Sequence, residues 1–186
     1  MRRALFSALG LLGAALLAAA YHALMPTVEE NLAWWTEYDW PEGGGEWTVG
    51  YGCVESAWDW VIHPRIRRFL PAGHVLELAP GYGLWTAFLR PMCERMTLVD
   101  LTPKCIEACR ERYGRKRMSY HVNDGFSLEM IQDGSIDFVF SLHSLVHAGH
   151  DVMESYLSQL GRKHETGRRR VHPPLEPRAL LGRAHR

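Results

Sequence analysis

Val75-Leu-Glu-Leu-Ala-Pro-Gly-Tyr-Gly83 reads as a short apolar strand from Val75 to Ala79, followed by a tight turn at Pro80-Gly81-Tyr82-Gly83. Leu84 to Leu89 then reads as the start of a helix. In a doubly wound sheet, a strand, a glycine turn and a helix present backbone N–H groups to a ligand. Glycine lets the backbone take positive φ and come close to a bound molecule. Glu77 is the odd residue, because a carboxylate within a buried strand is costly unless it is paired or faces a ligand. Met96-Thr-Leu-Val-Asp100 is a second apolar run ending in an acid, a place from which carboxylates accept hydrogen bonds from ribose hydroxyls.

Around this centre the units alternate. The sequence predicts helix from Leu84 to Arg95, strand from Met96 to Asp100 and helix from Thr102-Pro103 to about Tyr113, with proline tolerated in the first turn. Strand from Met118 to Val122, a short helix from Phe126 to Ile131, strand from Ile136 to Ser141 and helix from Asp151 to about Arg162 follow. Strands alternating with helices argue for a parallel sheet with right-handed crossovers. The predicted fold class is α/β, a Rossmann-like doubly wound parallel sheet of about four strands. It is incomplete on its C-terminal side and carries an N-terminal helical, aromatic extension.

Two families share the glycine-turn layout. Nicotinamide and flavin enzymes use G-x-G-x-x-G, but Thr86 stands at the third glycine position here, which leaves an oxidoreductase as the alternative reading. The pattern E-L-A-P-G-Y-G followed by V-D-L resembles the class I S-adenosylmethionine-dependent methyltransferases. Val28-Glu-Glu-Asn31, Tyr38-Asp-Trp40, Pro64-Arg-Ile66, Cys105-Ile-Glu-Ala-Cys109, His121-Val-Asn-Asp-Gly125 and Ser144-Leu-Val-His147 resemble one bacterial subfamily of small methyltransferases. The similarity runs from about Thr27 to Lys163.

The resemblance implies S-adenosylmethionine as cofactor and a small-molecule acceptor, methylated on oxygen or nitrogen; sugars and other hydroxyl compounds are compatible acceptors. It places Glu77, Ala79, Gly81, Gly83, Asp100, Leu101, Asn123, Asp124, Gly125 and Ser141 at the cofactor. Asp124 would accept the adenine amino group; the competing reading makes it an N-terminal cap for the following helix. His147 is the candidate base and His143 its neighbour, four residues apart on one expected helical face; ordinary loop histidines are the alternative. No metal is expected.

The remaining chain bounds these readings. The 186 residues carry zero formal net charge, which gives no global attraction to nucleic acid, and none is expected as a partner. Arg2-Arg3 precedes an uncharged run through Met25, which reads as a membrane segment, a signal peptide, a mis-assigned start or a helix lying on the domain. A cytosolic cofactor argues for a cytoplasmic protein, with membrane contact through residues 4–25 kept open. Residues 26–70 form an aromatic-rich lead-in whose rings either line the pocket or pack it onto the sheet. Thr27 and Glu30 suggest a capped helix start, and 54–70 suggests a helix interrupted at Pro64. Cys53, Cys93, Cys105 and Cys109 lack zinc spacing and read as reduced, mostly buried thiols.

Residues 71–163 make up the expected partial methyltransferase domain. Members of the resembled family continue beyond it with a fifth strand, whereas residues 164–186 are basic, with prolines and no strand period. Codons exist for His164 onward that, read one nucleotide later, give Thr-Lys-Arg-Asp-Gly-Val-Gly-Phe-Ile, a turn and then an apolar strand. The expectation is therefore an out-of-frame tail, an unpaired edge at Ile136 to Ser141 and little or no activity for the chain as written. A non-catalytic fragment using the tail to bind membrane or nucleic acid is the further alternative.

Overall fold

The structure, a computed structural model, describes residues 25–164. The expectations for residues 4–24 and for the tail after His164 lie outside the described residues. Four parallel strands form one sheet in the order β3-β2-β1-β4: β1 (Ala72–Leu78), β2 (Cys93–Asp100), β3 (Met118–Val122) and β4 (Phe138–Phe140). Strand β1 is central, pairing Glu77 with Leu98 of β2 on one side and with Phe140 of β4 on the other. Strand order reverses at β1, so its C-terminal end is the crevice where doubly wound sheets bind ligands.

Side chains alternate across the sheet. Val75, Met96, Leu98 and Met118 face a core shared with Trp58, Ile62, Leu89, Ile106 and Cys109. Leu76, Leu78 and Val99 face the other side, against Leu128, Ile136, Val152 and Tyr156. Leu76 and Leu98 have no exposed surface, and burial of each contributes about 1.5–3 kcal/mol. Helix α5 (Pro103–Tyr113) covers the first face through Ile106 and Cys109, and α6 (His150–Lys163) covers the second through Val152 and Tyr156.

The lead-in begins with α1 (Val28–Glu37), opened by a complete capping box: Thr27 Oγ1 accepts from Glu30 N–H, and the Glu30 carboxylate accepts from Thr27 N–H. The stretch around Pro64 stays helical but changes pitch, from α2 (Val54–Ser56) through a π turn (Ala57–Ile62) to α3 (His63–Ile66) and a 3-10 turn (Arg67–Phe69). A proline has no N–H to return to the preceding turn, and the widened π turn sits just before it.

Several predicted elements differ. The helix after the glycine turn is only α4 (Thr86–Leu89), tightened into a 3-10 turn at Arg90–Met92, because Pro91 withholds a donor there. Strand β2 consequently starts at Cys93, not Met96, and β1 reaches back to Ala72 to pair with it. The helix expected at Phe126 to Ile131 does not form. Asp124 Oδ1 accepts from the N–H groups of Phe126 and Ser127, and Gln159 Oε1 from that of Leu128. The Phe126 carbonyl accepts from Ser155 and Gln159, and the Ser127 carbonyl from Asn123. Side chains thus take the groups a helical ladder would use.

Strand β4 is also shorter than predicted and, among the described residues, has one strand neighbour. Its approach is not wholly unpaired: Ile136 forms a parallel bridge with His164, and its N–H donates to the Lys163 carbonyl at 3.0 Å. No described helix is long and apolar enough to cross a membrane. Cys93, Cys105 and Cys109 are buried thiols, and Cys53 is exposed.

Candidate cofactor and acceptor site

The glycine turn is built by backbone positions that favour glycine. Ala79, Gly81 and Gly83 have φ of 52°, 56° and 78°. Ala79 is held there by its N–H on the Val99 carbonyl at 2.8 Å and by Ser144 Oγ on its own carbonyl at 2.8 Å. Gly83 is locked against α5: a Cβ on it would lie 2.8 Å from Tyr113, whose hydroxyl donates to the Gly83 carbonyl at 2.6 Å.

Two carboxylates meet beneath this turn. Asp100 receives the Gly81 N–H on Oδ2 at 3.2 Å and the Thr102 N–H on Oδ1 at 2.8 Å. Glu77 receives the Thr86 hydroxyl on Oε2 at 2.6 Å. Both acids are buried, at 2% and 6% exposure for Glu77 and Asp100. Burial pushes Glu77 up to about 8, with the Asp100 charge adding to the rise and the Thr86 hydroxyl opposing it. Burial likewise pushes Asp100 up to about 6, against the two backbone donors that favour its charged form.

Both acids open on one crevice of about 460 Å³ at the carboxyl ends of β1 and β2. Of the residues expected at the cofactor, Glu77, Ala79, Gly81, Asp100, Leu101 and Gly125 line it. Gly83, Asn123, Asp124 and Ser141 are not among the lining residues; Asp124 is exposed, and the Ser141 hydroxyl is buried without a protein partner. Gly83 packs on α5, Asn123 donates to Tyr156 Oη at 2.9 Å, and Asp124 caps the 126–128 turn. Its own turn N–H groups hold the Asp124 carboxyl below the usual carboxylate range.

The lead-in supplies the opposite wall. Trp35, Trp40 and Trp47 line the crevice, and the Trp40 ring lies so close over Gly81 that a Cβ there would sit 2.5 Å from it. Trp40 also stacks on Tyr82 at 5.1 Å, and its indole N–H is buried without a protein acceptor. Trp58, in contrast, is buried in the core beside Phe88, so the aromatic segment divides between the two expected roles.

His143 and His147 both line the crevice, but not as one helical face. His143 has φ of 60° and stacks on Tyr51, and only Leu145–His147 forms a 3-10 turn. The His147 ring meets Trp35 edge-on at 5.3 Å, and its carbonyl accepts from Asn31 Nδ2 at 3.0 Å. Sequence reasoning missed Thr86 as a partner of Glu77. The signal was present, since a hydroxyl in the first turn of the helix after a glycine loop can reach back to the strand.

A parallel sheet with its glycine turn at the switch point, and an acid from each of two adjacent strands in one crevice, defines a nucleotide-binding α/β domain. Residues 75–167 match the family model described as a methyltransferase domain, and the chain belongs to that family. Nodulation protein S of Bradyrhizobium diazoefficiens is 43% identical over 49 residues, spanning 26% of this chain and 23% of the relative. The structure of DhpI in complex with SAH superposes with a TM-score of 0.54 at 24% identity, covering 74% of this chain and 63% of that one. An S-adenosylmethionine-dependent methyltransferase from Mesorhizobium loti gives a TM-score of 0.50 at 21% identity over 61% of this chain and 52% of that one. The chain thus spans less than two thirds of these relatives' lengths.

Proposed function

We propose that the chain binds S-adenosylmethionine in this crevice and transfers its methyl group to a small-molecule acceptor. The carrying observation is the convergence of Glu77 and Asp100 on one crevice under the Gly81 turn. The cofactor has a cationic sulfonium, an ammonium and two ribose hydroxyls, all of which suit a site whose floor is carboxylate. Asp100, fixed by two backbone donors, would accept from the ribose. Glu77 would face the positively charged methionine part, and Leu101 and Gly125 would flank the adenine. Asp124 lies outside the described lining with Oδ1 taken by the Phe126 and Ser127 N–H groups, so only Oδ2 would be left for the adenine amino group.

A sulfonium methyl group is already activated, so the chain's task is alignment of the acceptor with the methyl carbon. Trp35, Trp40 and Trp47 exclude water and give the acceptor a wall to lie on. His147, whose carbonyl is held by Asn31 and whose ring meets Trp35, would take the acceptor's proton. Calorimetry with S-adenosylhomocysteine and with NAD tests the reading. Heat from S-adenosylhomocysteine and none from NAD is expected; binding of NAD alone would overturn it.

A further inference from the structure

Building on the methyl-transfer reading, we infer that the acceptor is an amine carrying an apolar or aromatic face, and that phosphate- and carboxylate-bearing acceptors are selected against. Acidic side chains line the crevice. Glu77 and Asp100 form the floor that the cofactor would take, and Glu29 and Asp151, exposed at its edge, are the acids left to face an acceptor. The chain has 21 lysines and arginines, yet none of the described lining residues is either.

Several of the described cations are placed elsewhere. Arg95, Arg115 and Arg117 gather with His74 around a separate depression at the N-terminal ends of β1, β2 and β3. Lys104 donates to the carbonyls of Thr36 and Tyr38 at 3.0 and 2.8 Å, behind the aromatic wall. An anionic acceptor entering the crevice would lose its water without meeting a lysine or arginine of the described lining, a costly transfer. The basic groups of the described lining are His143 and His147, and a proton-accepting role requires His147 neutral.

The same surface favours an ammonium. Trp35, Trp40 and Trp47 line it, and among aromatic rings the indole of tryptophan attracts cations most. Leu84, Leu142 and Leu145 add an apolar surface for the body of the molecule. The acidic rim would draw the protonated amine in, and transfer of one proton to His147 would free its lone pair. That pair forms the N–C bond to the methyl carbon as the C–S bond breaks and its electrons stay on sulfur. The new N-methylammonium holds the positive charge that the sulfonium gives up, and it is released with that charge, while His147 returns its proton to solvent.

Phenethylamine and 3-phenylpropionate, alike in ring and reach but opposite in charge, test this. Each is titrated into the full chain saturated with S-adenosylhomocysteine, followed by calorimetry and by quenching of tryptophan fluorescence. Phenethylamine is expected to bind at least tenfold more tightly. The double variant Glu29→Gln, Asp151→Asn, both at exposed positions, should reduce that preference threefold or more. Trp47→Leu should weaken phenethylamine binding about fivefold. Equal or tighter binding of 3-phenylpropionate, or no binding of phenethylamine to a chain that binds S-adenosylhomocysteine, overturns the inference. No binding of S-adenosylhomocysteine removes the methyl-transfer reading and this inference with it.

Discussion

The backbone N–H of Gly81 donates to Oδ2 of Asp100 at 3.2 Å, tying the turn after β1 to the end of β2. The Thr102 N–H holds the other oxygen at 2.8 Å, so both carboxylate oxygens already have donors before any ligand arrives. Asparagine at this position has one oxygen for two donors. Asp100→Asn should therefore weaken S-adenosylhomocysteine binding at least tenfold, or about 1.4 kcal/mol. Titration calorimetry checks this, and a change within twofold would remove Asp100 from the site.

Gly81 is also where the aromatic wall touches the turn. Gly81→Ala would place a methyl group 2.5 Å from the Trp40 ring at a φ of 56°, so the ring or the turn has to move. The left-handed backbone alone costs about 1–2 kcal/mol for a residue with a Cβ. Denaturant unfolding should show at least that loss, together with a changed tryptophan emission. Unaltered emission would mean Trp40 does not lie on the turn in solution.

Acidity should have an unusual effect on the ligand-free protein. Glu77 is raised from 4.5 to about 8 and Asp100 from 3.8 to about 6, so between roughly pH 4 and 8 the folded state holds protons that the unfolded state has released. Stability from these groups is present at low pH and is lost as pH rises through the folded values. His74, lowered by burial, adds the opposite slope at the acid end. The expected Tm of the ligand-free chain falls between pH 6 and 8.5, and Glu77→Gln flattens that fall. A Tm rising over this interval would show that the two acids are ionised in the folded state.

Thr86 sets the orientation of Glu77 through its hydroxyl at 2.6 Å. Thr86→Val keeps the shape but leaves a buried carboxylate oxygen without its donor, at about 1–3 kcal/mol. Because that donor lowers the Glu77 pKa, its removal should shift the pH dependence of S-adenosylhomocysteine binding upward. Thr86→Ser should restore both stability and profile; a serine variant that behaves like valine would reduce Thr86 to a packing role.

The parallel sheet and its central turn were legible because strand periodicity, glycines and the two strand-end acids occur in one short stretch. Thr27 with Glu30 and Thr102-Pro103 likewise carry their helix starts in local sequence, although the Thr102 side chain makes no cap bond and its backbone N–H goes to Asp100. What was not legible depended on distant partners. The 126–131 segment loses its helix to Gln159 and Ser155, some thirty residues away in sequence. His143 leaves the expected helical face for Tyr51, and Trp40 finds Gly81 only once the sheet exists. Side-chain periodicity has no access to such pairings.

The Trp40 contact also bears on how the molecule can be divided. The family match begins at residue 75, but one wall of the crevice is contributed by Val28, Trp35, Trp40 and Trp47. Cutting the gene at the start of the family match would leave the carboxylate floor without its roof. The lead-in thus supplies one wall of the crevice, and on the proposed reading a change there would alter what the chamber admits without touching the sheet.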